Sequence, residues 1–185
     1  MQNSTSTIIA LLVAGVLIFI VPLVTLTDRS DNVAQENVRL IVEEFVTEVK
    51  NTGKLTKTQY QELVSELNAK GNSTYDIEIQ IQKIEENPGK KTAQANYTKI
   101  GENVYYSEYT TQVLEQLGIA TANQANNENK DTIILKEGDY ITVQVKNSNS
   151  TAAQTLKNSF IGVSNADEYV ISARASGMVT VNGKK

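Results

Sequence analysis

Residues 34–53, AQENVRLIVEEFVTEVKNTG, are the stretch of sequence that decides the fold. Their apolar residues recur at spacings of three and four, which predicts an amphipathic α-helix, and Gly53 is a typical helix stop. The centre of the apolar stripe is formed by Val38, Val42, Phe45 and Val49. Leu40, Ile41 and Val46 widen this stripe, and glutamates cover the other side of the predicted helix.

Residues 8–26, IIALLVAGVLIFIVPLVTL, lie before this helix and contain no charge. A helix of this length extends about 28 Å, enough to cross the hydrocarbon core of a bilayer. A cleaved signal peptide would need a basic start and a shorter apolar region, and a buried core helix would keep a polar stripe. We therefore predict a retained membrane span, represented by Ile8, Leu12, Gly15, Phe19, Pro22 and Leu26.

The connection between the predicted span and the amphipathic helix that follows it, which we call the stem, has two interpretations. No Gly or Pro interrupts residues 23–51, so both predicted segments fit one long helix. Ser30 or Asp31 is equally suited to cap a separate second helix. Arg29 and Arg39 follow the span, which weakly favours a cytoplasmic body, whereas the Asn-, Thr- and Ser-rich, Cys-free composition favours an extracytoplasmic one. We expect the extracytoplasmic orientation.

The stripe of the stem also has two interpretations, because two heptads are too few to predict a coiled coil. It either packs on its own domain or contacts neighbouring subunits. We expect self-packing nearer Val49 and subunit contact nearer Val38, since the membrane-proximal end lies furthest from the globular body.

The body alternates helical and extended patterns. Thr56 and Gln59 form a capping box that begins a helix ending at Gly71, and apolar and polar residues alternate over residues 75–82 as in a half-buried strand. After this strand we predict a turn at 87–89, a loop over 90–103 and a helix over 105–117 whose shared face carries Tyr106, Tyr109, Val113 and Leu117. An Asn-rich loop over 121–131 then leads to a predicted hairpin of 133–135 with 140–146. The last predicted elements are a helix that begins at Ser150 or Thr151 and carries Ala152, Leu156 and Phe160, and an extended segment over 169–181.

From Thr74 onward this order is β-α-β-β-α-β, which is typical of a ferredoxin-like antiparallel sheet with two helices on one face. The predicted fold class is therefore α+β, with an N-terminal transmembrane helix and an amphipathic stem before that sheet. The predicted divisions are a short uncharged leader, the span, the stem helix and a globular domain, at residues 1–7, 8–26, 27–53 and 54–185.

Composition limits the chemistry. The 185 residues carry a formal net charge of -4 and contain no His or Cys. These absences exclude disulfides, thiol nucleophiles, imidazole-dependent triads and the usual zinc, haem and iron–sulfur ligand sets. The acidic balance argues against nucleic-acid binding, and no phosphate-binding or nucleophile-elbow motif occurs. We predict a non-enzymatic protein with no catalytic, metal or cofactor-binding residues and no small-molecule substrate.

Several stretches together resemble a known family. They are the uncharged leader, the span with Gly15 and Pro22, the stem, and the segments TGKLTKTQYQELVSELNAKGNSTYDIEIQIQ (52–82), LKEGDYITVQVKN (135–147) and ISARASGMVTVNGK (171–184). This layout resembles the TadE-like pseudopilins, small single-pass proteins of tight-adherence pilus and related secretion systems.

The resemblance implies a structural or assembly component whose anchor and stem are its packing elements. Pilins and pseudopilins of this group are typically cut at a Gly just before the apolar stretch, with a Glu five residues into the mature chain. Residues 1–7 contain no Gly and residues 8–26 no Glu, so the implied component is unprocessed. Its expected partners are the bilayer and other assembly subunits, including further copies of itself. The alternative is a membrane-anchored extracytoplasmic module that binds a peptide, an ion or an envelope partner.

Overall fold

The computed structural model describes residues 2–71, 73–84, 105–119, 131–161 and 171–184. The protein combines helices with antiparallel sheets, which confirms the α+β class. In chain order the elements are α1 (Gln2–Thr52), β1 (Lys54–Thr56), α2 (Lys57–Lys70), β2 (Tyr75–Ile84), β3 (Tyr105–Tyr109), α3 (Thr110–Gln116), β4 (Thr132–Ile134), β5 (Tyr140–Asn147), α4 (Ala152–Ile161) and β6 (Ser172–Met178).

Helix α1 is continuous from Gln2 to Thr52, so span and stem form one helix and no separate helix begins at Ser30 or Asp31. Its N-terminal part is long and apolar enough to be a candidate membrane span, and none of its most apolar window is buried by the domain. The helix ends where predicted. Gly53 adopts a φ of 64°, and its N–H donates to the carbonyl of Val49 at 2.9 Å.

The main sheet has the strand order β3-β2-β5-β6, with every neighbouring pair antiparallel. The second half of α1 lies across β5 and β6, and α2 and α4 pack against α1. Alternate residues of the central strands point toward this helix because side chains alternate faces along a strand. The largest fully buried side chains are Leu55, Leu67, Ile79, Ile81, Leu117, Leu135, Ile141, Ile171, Val38, Val42, Val49 and Val113.

The predicted ferredoxin-like topology is not confirmed. That fold would place the last strand beside the first. Among the described residues, β6 instead pairs with β5, β3 lies at the edge beside β2, and β4 pairs with β1 in a separate two-stranded sheet. Backbone hydrogen bonds explain the position of β4, because Leu135 donates to Gly53 and Lys57 donates to Asp131 across both ends of the pair. Strand β1, which directly follows α1, therefore pairs with β4, and β4 does not join the main sheet.

The predicted helix over 105–117 is wrong in its first part. Residues 105–109 form strand β3, and helix α3 begins only at Thr110. The strand is fixed by pairing with β2, and the Thr110 hydroxyl accepts from the backbone N–H of Ile79 at 2.8 Å. Val113 and Leu117 are buried as predicted, whereas Tyr106 and Tyr109 lie on opposite faces of the strand and are exposed.

The predicted hairpin of 133–135 with 140–146 is also wrong, since β4 and β5 belong to different sheets. Asp139 redirects the chain between them. Its buried carboxylate accepts from the backbone N–H of Lys136 at 2.8 Å and of Ile84 at 3.0 Å. Backbone hydrogen bonds with Val179 hold the same turn against the C-terminal segment.

Other local predictions are confirmed with one correction: α4 buries Ala153, whereas Ala152, which was predicted for its apolar face, is exposed. The Thr56–Gln59 capping box begins α2, β2 covers the predicted strand, and Thr151 is the residue that caps α4. The predictions for the turn at 87–89, the loop over 90–103, the Asn-rich loop before Asp131 and the Phe160 side chain lie outside the described residues, as do Tyr169 and Val170.

Candidate functional site on helix α1

The inner face of α1 is core. Val38, Val42 and Val49 are fully buried and Phe45 is 5% exposed, all against the chain's own domain. This arrangement matches the first interpretation of the stripe along its whole length, including the end nearer Val38. A second subunit has no access to these side chains in the folded domain, so any contact between subunits requires another face of the helix.

The burial of α1 extends about four turns before Phe45. Asp31 is buried, and its Oδ2 accepts a hydrogen bond of 2.6 Å from the Thr151 hydroxyl at the start of α4. Gln35 bonds the backbone of Ser172 twice, donating from Nε2 at 2.6 Å and accepting at Oε1 at 2.9 Å. The domain is therefore attached to α1 within a few residues of Leu26, where the apolar sequence ends.

Tyr75 lies near the same end of the domain. Its hydroxyl donates to the carbonyl of Gly71. Burial raises the pKa of Tyr75 to about 12, and the negative charge of Asp31 adds to the rise. The phenol is consequently held in its neutral, hydrogen-bond-donating form.

The outer face of α1 carries a column of exposed apolar residues seven positions apart. Their exposed fractions are 64% for Leu12, 74% for Phe19, 64% for Leu26, 55% for Val33 and 53% for Leu40. Seven residues are nearly two helical turns, so consecutive members lie within about 20° of one another around the axis and the column drifts slowly along the helix. We call these five residues the outer column. It begins inside the candidate span and continues along the stem, on the side of α1 opposite the core.

The structure corrects one detail of the predicted stripe and adds one residue. Helical spacing alone groups Leu40 with the core-facing residues, but it lies on the outer column, whereas its neighbour Ile41 is buried. Val33 was not singled out from the sequence. The signal that would have found both is the seven-residue spacing that relates them to Leu26, read across the boundary of the span.

The remaining predicted span residues are consistent with a lipid-facing helix. Ile8 is 61% exposed, and an added Cβ at Gly15 would meet no atom within 4 Å. Pro22 lies within α1 without interrupting it. Lipid tolerates such residues when neighbouring groups satisfy the backbone.

Charged residues beside the outer column pair within the helix. Arg39 contacts Glu43 at 2.9 Å and Glu36 at 4.0 Å. The hydrogen bond and charge of Glu43, with the charge of Glu36, raise the pKa of Arg39. These pairs are exposed and contribute little stability, but they leave Val33 and Leu40 as the apolar positions of this surface.

A shallow groove of about 120 Å³ lies between α1 and α2. Ile41, Phe45 and Leu63 line its floor, and Gln59 donates to Glu48 at its rim at 2.6 Å. The other acidic residues of the rim are Glu44, Glu62 and Glu66. Within the part of the chain that the structure describes, no group of three acidic side chains has the geometry of a metal site.

No protein-family model, curated protein sequence or solved structure matches the chain significantly.

Proposed function

We propose that the protein is a bitopic, non-enzymatic structural or assembly component of a pilus-like or secretion apparatus, of the TadE-like pseudopilin kind, with its domain outside the membrane. The observation that carries this proposal is the outer column. On the aqueous part of α1 it places two exposed apolar side chains, Val33 and Leu40, in seven-residue register with Leu26 of the candidate span, and the chain's own core uses neither of them.

The aqueous part of the column supplies a driving force that the span lacks. Between helices in lipid the hydrophobic effect is absent, because lipid tails are as apolar as the side chains. Val33 and Leu40 lie beyond the apolar stretch, where burying each side chain contributes about 1.5–3 kcal/mol. Association through these two positions therefore stabilises an assembly beyond what packing within lipid provides.

The membrane aligns the partners. Copies inserted with the same topology present Leu26, Val33 and Leu40 at the same height, so their outer columns match in a parallel arrangement. Because the domain is held to α1 from Asp31, which contacts Thr151 before α4, to the end of the helix, a helix–helix contact also fixes the orientation of the domain. A subunit of an ordered assembly needs this property.

The chain contains no cysteine, so one introduced thiol tests the proposal cleanly. We expect Thr47→Cys to be joined to a second copy, or to an assembly subunit identified by mass spectrometry, when a short membrane-impermeant bis-maleimide is added to intact, wall-stripped cells. Thr47 is exposed one heptad after Leu40, so this thiol follows the outer column and leaves both of its aqueous apolar side chains in place. Arg39→Cys is the matched control, since Arg39 is exposed on another face of α1. Equal cross-linking of both variants, or none of either before lysis, contradicts the proposal.

A further inference from the structure

The face of the main sheet that points away from α1 consists of half-buried and exposed residues, and one half of it has a distinct composition. In this half the strand register brings Tyr109 beside Gln80 and Ser107 beside Gln82. The next strands continue both rows with polar or flexible side chains. The outward positions of these two rows are Tyr109, Gln80, Thr142, Ser176, Ser107, Gln82, Tyr140 and Met178.

Charge is segregated on this face. None of the eight outward residues of these two rows is ionisable near neutral pH, although 21% of the chain is charged. The other half of the same face carries Asp76, Glu78, Lys146 and Arg174, with Lys146 and Glu78 at 3.6 Å. The first half is therefore an uncharged surface next to a charged one, and we call it the neutral sheet face.

The neutral sheet face lies at the end of the domain remote from the span. Ser172, at the start of β6, bonds Gln35 of α1, whereas Thr180, just after this strand, donates to the carbonyl of Lys50. The 15 residues from Gln35 to Lys50 correspond to about 22 Å of helix. Since β6 runs along α1 in this direction, its Met178 end points away from the membrane.

This face combines aromatic rings with hydrogen-bonding groups. Tyr109 and Tyr140 are exposed, and the Tyr140 hydroxyl donates to Ser176 at 3.1 Å. Among the described residues, the side chains of Gln82 and Thr142 between them engage no hydrogen-bond partner. The half-buried Gln82 amide and Thr142 hydroxyl are thus available beside two exposed tyrosines.

We propose that the neutral sheet face binds an uncharged polysaccharide strand. Sugar rings present apolar C–H faces that stack on tyrosine and a periphery of hydroxyls that bond amides and other hydroxyls. The absence of charge matches a neutral polymer, whereas nucleic acids and acidic glycans require cationic partners. The next row of this face, Ile84 beside Tyr105, adds apolar surface only at the edge, whereas the centre consists of glutamine, serine and threonine, which suit sugar hydroxyls better than the apolar centre of a protein interface.

The spacing suits an extended chain of several sugars. Tyr109 and Tyr140 are two strands and one side-chain pair apart, about 12 Å between their Cα atoms from standard sheet dimensions. A strand of a few pyranose units placed diagonally across β3, β2 and β5 contacts both rings, with the Gln82 amide between them. This binding is independent of the proposed assembly through α1.

The test uses the full chain in lipid nanodiscs with four hexasaccharides: the neutral cellohexaose, laminarihexaose and chitohexaose, and acidic hexagalacturonate. We expect at least one neutral hexasaccharide to show saturable binding by calorimetry and saturation transfer to its ring protons. Tyr109→Ala and Tyr140→Ala should each weaken this binding about 3- to 10-fold, the loss expected for one aromatic contact. Tyr109→Phe should retain it, because the ring face remains.

Tyr106→Ala is the matched control. Tyr106 is exposed on the same strand but belongs to the opposite face, so its replacement should leave binding unchanged. Circular dichroism checks that every variant is folded. The proposal is overturned if no neutral hexasaccharide binds, if only the acidic hexasaccharide binds, or if the folded Tyr109→Ala and Tyr140→Ala variants bind like the unmodified protein.

Discussion

At the scale of single residues, the contact between Asp31 and Thr151 attaches the domain to α1 close to the candidate span. Both side chains are buried, and the Thr151 hydroxyl serves two partners, since it donates to Asp31 and accepts from the backbone N–H of Gln154. Its loss would leave a buried carboxylate without this donor and helix α4 without its cap.

We expect Thr151→Val to lower the free energy of unfolding by about 1–3 kcal/mol, the usual cost of an unsatisfied buried group and a lost helix cap. Denaturant unfolding of the full chain in detergent, followed by circular dichroism, measures this change. Thr47→Val is the control, because Thr47 is exposed on α1. A loss of unfolding free energy no larger than that of the control would show that the hydrogen bond from Thr151 to Asp31 does not stabilise the domain.

Tyr75 makes stability depend on pH in a defined window. Its pKa is about 12 in the folded protein against an ordinary value of 10.0, so between these pH values it binds its proton more strongly when folded. The free energy of unfolding therefore falls as pH rises from 10 to 12, and this group contributes no such slope below pH 10. Tyr75→Phe should flatten this fall in denaturant titrations. An unchanged slope would show that other tyrosines cause the fall of the unfolding free energy in this pH range.

At the scale of elements, Gly53 joins α1 to the small sheet and to the C-terminal segment. A Cβ at this position would overlap the backbone of Val181 and Gly183. Gly183 in turn donates to the carbonyl of Leu135, which itself donates to Gly53, so three segments meet without room for a side chain. Close approach and a positive φ both require glycine here.

Gly53 and Gly118 form a matched pair, because both have a φ of 64° but only Gly53 is surrounded by backbone. Gly118→Ala should cost about 1–2 kcal/mol of unfolding free energy for the left-handed conformation alone. Gly53→Ala should cost a further ~1–3 kcal/mol from overpacking. Equal losses, measured by thermal or denaturant unfolding, would show that the backbone of Val181 and Gly183 moves away from the added methyl group without a loss of stability.

Elements set by local signals were predictable from the sequence, and those set by distant pairing were not. The Thr56–Gln59 capping box and the alternation in β2 lie within a few residues of the structure they specify. By contrast, Tyr106 and Tyr109 also fit helical spacing, and only pairing with β2 makes residues 105–109 a strand.

The same limit explains why the outer column could not be predicted from the sequence. Helical periodicity groups Leu40 with Ile41, because adjacent residues lie only about 100° apart around the axis. Which of the two is buried depends on where the sheet lies against α1. The sequence pattern therefore predicted the core stripe but not the position of its edge or the second apolar face.

At the scale of the whole molecule, α1 has one buried and one exposed apolar position on opposite faces, and the proposal gives these faces separate roles. The stripe containing Val38 holds the sheet, and the outer column containing Leu40 is free to meet another helix. The positions are two residues apart in sequence, so replacements at these sites perturb the helix at nearly the same height but on different sides. A measurement that separates the stability of the domain from the association of copies therefore tests the proposed roles of the two faces most directly.

That measurement is energy transfer between donor- and acceptor-labelled copies of the full chain in liposomes, with both dyes on an introduced Glu137→Cys thiol at the exposed end of the domain. We expect Leu40→Ser to reduce the transfer at least severalfold while the domain unfolds at the same temperature. Val38→Ala should instead lower the unfolding free energy by about 1–3 kcal/mol and leave the transfer of the folded protein unchanged. Transfer that is insensitive to Leu40→Ser, or that falls equally in both variants, would contradict the assignment of the outer column as the assembly surface.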